Sequence, residues 1–83
     1  MTVRITMVED RPLRRLRVDG RLTGDEIAEL EQLIGPDPKA VCLELTDLRS
    51  IDPTALAVLR RLREEGLQLI DLSPHLAWRI EEA

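Results

Sequence analysis

The chain has 83 residues, a net charge of −4 and 43% hydrophobic residues, with one Trp and no Phe or Tyr. That length sets one domain over residues 1–83, with a thin stability margin of about 4–12 kcal/mol and a core of Leu, Ile, Val and Ala. The acidic balance argues against a nucleic-acid or anionic-membrane surface, no apolar run approaches the ~20 residues of a membrane span, and the single Cys42 rules out an internal disulfide.

Residues 1–8 alternate, with Val3, Ile5 and Met7 on one side and Thr2, Arg4 and Thr6 on the other, the period of a half-buried strand. Glu9-Asp10-Arg11-Pro12 reads as a turn. Leu13 to Val18 reads as a second strand, antiparallel to the first, with Leu16 and Val18 inward, Arg15 and Arg17 outward, and Asp19-Gly20 closing it.

Thr23-Gly24-Asp25-Glu26 has the spacing of a capping box, in which the Thr hydroxyl accepts a backbone N–H and the Glu reaches back. The helix that follows carries Ile27, Leu30, Leu33 and Ile34 on one face and ends at Gly35-Pro36-Asp37-Pro38. Ala40 to Leu45 is a short apolar run, the pattern of a buried central strand, and Asp47 to Ile51 reads as a loop.

Asp52-Pro53 opens a second helix, Asp as N-cap and Pro at the first helical position. Leu56, Leu59 and Leu62 form its buried stripe, and Gly66 ends it. Leu67 to Leu72 reads as a fourth strand, and Ser73-Pro74 caps a last helix containing Leu76, Ala77 and Ile80. The expected fold is therefore α/β: a four-stranded mixed sheet in the order β-β-α-β-α-β-α, with helices packed on it and parallel pairing in its second half.

With these elements in place, three stretches resemble the STAS family, the fold shared by anti-sigma-factor antagonists and the cytoplasmic tails of sulfate transporters. Val18-Asp19-Gly20-Arg21-Leu22-Thr23 is similar to the family's strand and glycine leading into its first helix. Leu43 to Leu56 is similar to its signature strand, loop and helix start, with Glu44 and Thr46 where the family writes Asp and Ser, and Pro53-Thr54-Ala55 where it writes Ser-Ser-Gly. Gly66-Leu67-Gln68-Leu69 is similar to its last helix-to-strand step. The resemblance covers Thr2 to Glu82, and the family's further C-terminal helix has no counterpart before Ala83.

The resemblance implies a cytoplasmic protein-binding module in signal transduction and transcription regulation, not an enzyme, and calls for no cofactor. In the antagonist branch a switch kinase phosphorylates the second hydroxyl residue after the aspartate, which here is Thr54. The partner is then an anti-sigma factor or a histidine-kinase-like switch kinase that brings its own ATP. Its contact surface comprises Ser50, Asp52, Pro53, Thr54, Ala55, Ala57 and Val58. A second implied role is a subunit bound to the ATPase of an ABC-type lipid transport system, where Thr54 is a contact and phosphorylation is irrelevant. A threonine in a helix's first turn is also commonplace, and Asp52 serves as a cap whether or not it touches a partner.

His75 and Cys42 are the sole residues of their types, which is short of a metal-ligand set, and Cys42 reads as a small buried hydrophobe. Trp78 is expected to pack on the sheet edge; exposed, it would anchor a partner or a second copy of the chain. Arg11, Arg14, Arg15 and Arg17 cluster near the second strand, as edge protection or as a contact patch for an acidic partner or a nucleotide phosphate. Gly20-Arg21-Leu22-Thr23-Gly24 lacks nucleotide-binding glycine spacing.

Overall fold

A computed structural model describes residues 3–9 and 13–81. Of the expected turn over Glu9 to Pro12, Glu9 instead ends β1, and Asp10 to Pro12, Arg11 among them, lie outside the described residues. The elements in chain order are β1 (Arg4–Glu9), β2 (Arg14–Leu22), α1 (Gly24–Ile34), a 3-10 turn (Pro38–Ala40), β3 (Val41–Glu44), β4 (Leu48–Ile51), α2 (Pro53–Glu64), β5 (Gln68–Ile70) and α3 (Pro74–Glu81). The fold is α/β with a mixed sheet of five strands, one more than the sequence pattern suggests.

The additional strand is β4, in the stretch read as a loop. Its buried residues, Leu48 and Ile51, are three apart, so the period of two that marks a half-buried strand is absent. A register shift explains this. Gly20 sits opposite Leu48 and Arg21 opposite Ser50, so one step along β2 spans two along β4, and Arg49 is the extra residue. The same shift corrects the end of β2. Asp19-Gly20 does not close the strand; Gly20 takes φ +92° and the chain stays extended to Leu22.

β2 organises the sheet. It pairs antiparallel with β1, matching Ile5 to Val18 and Met7 to Leu16. Its first half pairs parallel with β3, its second half parallel with β4, and β3 pairs parallel with β5. Leu16 and Val18 of β2 and Val41 and Leu43 of β3 join Ile27, Leu30 and Ile34 of α1, Leu56, Leu59 and Leu62 of α2, and Leu76 and Ile80 of α3 in one buried cluster. On the other face, Arg15 pairs with Glu44, and Arg17 with Asp19 and Asp47.

Three expected core residues lie further out. Met7 is 51% exposed on β1, an edge strand among the described residues, and Leu33 is 39% exposed at the margin of the α1 stripe. Trp78, expected against the sheet edge, is 64% exposed, because α3 buries Leu76 and Ile80 and turns Trp78 outward. The expected strand over Leu67 to Leu72 is shorter, since Asp71 adopts φ +58° and breaks the extended chain.

Helix ends follow local chemistry. The Ser73 hydroxyl accepts the Leu76 N–H at 3.3 Å, with Pro74 in the first turn. Arg14 of β2 donates to the Ile34 carbonyl at the end of α1, which has no basic residue in its own last turn. At the end of α2 the Leu67 N–H donates to the Leu62 carbonyl and the Gly66 N–H to the Arg63 carbonyl, a Schellman closure that needs the positive φ of Gly66, +113°. A Cβ at Gly66 would lie 2.5 Å from Lys39 Cγ. Gly66→Ala is therefore expected to lower stability by about 1–3 kcal/mol in denaturant unfolding, and a variant as stable as the parent would show that the turn relaxes.

Candidate functional site

The sequence-predicted site residues gather where β2 and β4 end and α1 and α2 begin. Asp52 is the joint. Its N–H donates to the Leu22 carbonyl at 3.1 Å, which ties the start of α2 to the end of β2. Its Oδ1 accepts the Ala55 N–H at 2.8 Å, the expected N-cap of α2. Its Oδ2 accepts the Gly24 N–H at 2.8 Å, at the first residue of α1. One carboxylate thus caps two helices. These donors, Ala55 first and Gly24 second, hold the Asp52 carboxyl below its usual range.

The expected capping box on α1 does not form. The Thr23 side chain accepts no backbone N–H; its hydroxyl instead donates to Glu26 Oε1 at 2.8 Å. Asp52 supplies the acceptor in its place. Twenty-eight residues separate it from Gly24, so no local motif could have announced the bond.

The two helices run side by side in the same direction. Near their starts the Thr54 side chain lies against Gly24, where an added Cβ would meet Thr54 Cγ2 at 3.1 Å. Two turns on, Arg61 of α2 pairs with Glu31 of α1. α3 leans on the same assembly: Arg79 donates to the Ile51 carbonyl at 3.2 Å, and Arg60 of α2 donates to the Ile80 carbonyl at 3.1 Å.

Within this frame Pro53, Thr54 and Ala57 are exposed and carry no charge, and Ser50, Asp52 and Val58 are half-buried. Ala55 is fully buried, and its N–H is already held by Asp52, so its side chain belongs to the core and not to the surface. The arginine cluster is dispersed: Arg14 caps α1, Arg15 faces Glu44, and Arg17 binds Asp19 and Asp47. Two arginines that sequence reasoning passed over, Arg21 and Arg49, come together with Gly20 and Ser50 around a pocket of about 110 Å³.

Cys42 is buried, and burial pushes its thiol above the usual range. His75 is exposed on α3. Among the described residues, no three His, Cys, Asp or Glu side chains gather as a metal set, and no helix is long and apolar enough to cross a membrane. No family model matches the chain, and no curated protein matches it.

The double cap has a pH signature. A folded-state carboxyl held below its unfolded value of about 3.9 contributes stability that is present above that value and lost as pH falls through the lower, folded one. Asp52→Ala is expected to lower the melting temperature by on the order of 10 °C at neutral pH. That gap should close as pH falls below about 4. A gap that stays constant on acidification would show that the carboxylate's charge is not what caps the helices.

Proposed function

We propose that the chain is a protein-binding regulatory module of the STAS type that docks onto its partner through the start of α2. The observation that carries the reading is the exposed, uncharged surface of Pro53, Thr54 and Ala57, set at a helix start that Asp52 ties to β2 and to α1. The STAS assignment rests on the sequence resemblance over Leu43 to Leu56, residues that span the end of β3, β4 and the first turn of α2. In this reading the module works in the cytoplasm. Its partner is an anti-sigma factor or a histidine-kinase-like switch kinase that brings the ATP, and the chain itself is not an enzyme.

Phosphorylation at Thr54 is the switch in this reading, and it acts through charge. A phosphate adds about −1.5 to −2 charge and strong acceptor oxygens. At many helix starts it would find free N–H donors. Here Pro53 has no N–H, the Asp52 carboxylate takes those of Ala55 and Gly24 and is also faced by that of Thr54, and the Asp52 carbonyl takes that of Leu56. The new charge therefore meets the Asp52 carboxylate rather than unfilled donors. It acts outward, by repelling the partner, and leaves the helix folded.

Thr54→Glu is expected to leave the far-ultraviolet circular dichroism of the chain unchanged while weakening partner binding at least about ten-fold, a loss of 1.4 kcal/mol or more. Partners are captured from the native host on the tagged chain, with mass spectrometry of the Thr54 peptide. A kinase-type ATPase together with phosphorylated Thr54 is the expected result. An ABC-type ATPase with unmodified Thr54 would overturn the switch and assign the same surface to a transporter subunit.

A further inference from the structure

The two outer strands of the sheet path, β1 and β5, differ in how they are protected. β5 is three residues long, and Asp71 breaks the chain after it with a positive φ. β1 is six residues long, and its register shift falls at Val8, so Arg4 to Met7 keep a regular ladder with β2. Short edge strands and bulges discourage pairing with another chain. On β1 only the far end carries such a device.

β1 also turns a defined set of backbone groups outward. The Gly20 N–H points to the β4 side, where it donates to the Asp47 carbonyl. Backbone groups alternate sides along a strand, so Asp19 and Arg17 turn theirs to β1. Arg4 and Thr6, which lie opposite them, are therefore the bonded residues of β1, and Ile5 and Met7 each turn an N–H and a C=O to the open side.

The same edge is apolar on the face that the helices cover. Ile5 and Met7 lie opposite the buried Val18 and Leu16; Ile5 is half-buried, while Met7 and Val8 are exposed. α1 adds Leu33. Gly24 and Glu31 mark the flank of α1 that meets α2. Leu33 stands two residues past Glu31, about 200° round the helix, on the flank away from α2. Arg14, bonded to the end of α1, lies two residues before Leu16, which is opposite Met7. Met7, Val8 and Leu33, three of the four exposed large hydrophobic residues among those described, thus stand at one corner of the sheet.

We propose that this edge is a dimer interface, covered by β1 of a second copy of the chain. The strand is complementary to itself. It opens on a cation, Arg4, and closes on an acid, Glu9, so antiparallel pairing sets unlike charges together and parallel pairing sets like ones. A two-fold axis at Thr6 also matches the outward backbone groups: Ile5 exchanges two bonds with the second copy's Met7, and Met7 two with its Ile5. The apolar face then runs on from one copy to the next, and Thr6 meets Thr6 on the other face. An axis at Ile5 would make the two Arg4 side chains diagonal neighbours, which their like charge disfavours. The seam uses no residue of the α2 docking surface, so the inference stands apart from the docking reading.

The test is sedimentation equilibrium of the full chain from micromolar to millimolar concentration, where a reversible dimer is expected. Met7→Lys and Val8→Lys, checked for folding by circular dichroism, should each raise its dissociation constant at least about ten-fold. Trp78→Lys, at the remaining exposed apolar residue, should leave it unchanged. Mild oxidation reads the register. Facing residues in a non-bonded antiparallel pair have Cα atoms about 4.5 Å apart, within disulfide reach, so Thr6→Cys should cross-link the dimer. Arg4→Cys should not, because the two copies of position 4 would lie about 14 Å apart. The parent chain, whose Cys42 is buried, is the control. A monomer at every concentration would overturn the proposal, as would a dimer that both lysine variants of β1 leave intact or that Trp78→Lys abolishes. Equal cross-linking through positions 4 and 6 would overturn the pairing at Thr6.

Discussion

The Asp52 carboxylate accepts a backbone N–H from the first turn of each of two helices, and the arrangement of the functional surface depends on that pair of bonds. Helix starts leave N–H groups without partners inside the helix, and a side-chain oxygen satisfies them at a cap. An ordinary cap satisfies one helix. Here the two oxygens diverge to two helices, while the backbone N–H of the same residue holds the Leu22 carbonyl of β2. Three elements distant in sequence meet at one side chain, and Thr54 comes to lie against Gly24. Glycine suits that position because a methyl group there would crowd Thr54.

The second constraint is the shift between β2 and β4. It lets a single strand, β2, serve β3 along its first half and β4 along its second. Through β4 it delivers Asp52 to the end of β2. It also leaves Arg49 as the unmatched residue and so places it with Arg21. The placement of the uncharged start of α2 is therefore a consequence of that piece of backbone geometry.

Much of the fold was legible because its signals are local. Asp52-Pro53 and Ser73-Pro74 announce helix starts through residues whose capping chemistry operates within three positions, and both caps form. The leucines of α2 repeat at helical spacing and are buried as that spacing implies. What was not legible depends on partners far away in the chain. β4 escaped because its register shift erases the alternation that identifies strands. Thr23 was read as the cap of α1 because the local spacing is right, yet the acceptor comes from Asp52. Met7 and Trp78 share the same lesson from the other side. Their periodicity places them on an element, but exposure depends on whether another element covers it, and among the described residues both stay exposed. Arg21 and Arg49 carry no local motif, and only the pairing of β2 with β4 brings them together.

The most direct measurement of the double cap is an acid titration of the isotope-labelled chain, following the amide proton signals of Gly24 and Ala55. If one carboxylate accepts both N–H groups, both signals move together as it gains its proton, with a common midpoint below the usual aspartate value of about 3.9. Two distinct midpoints, or a Gly24 amide that ignores the titration, would contradict the account, because α1 would then be capped independently of α2.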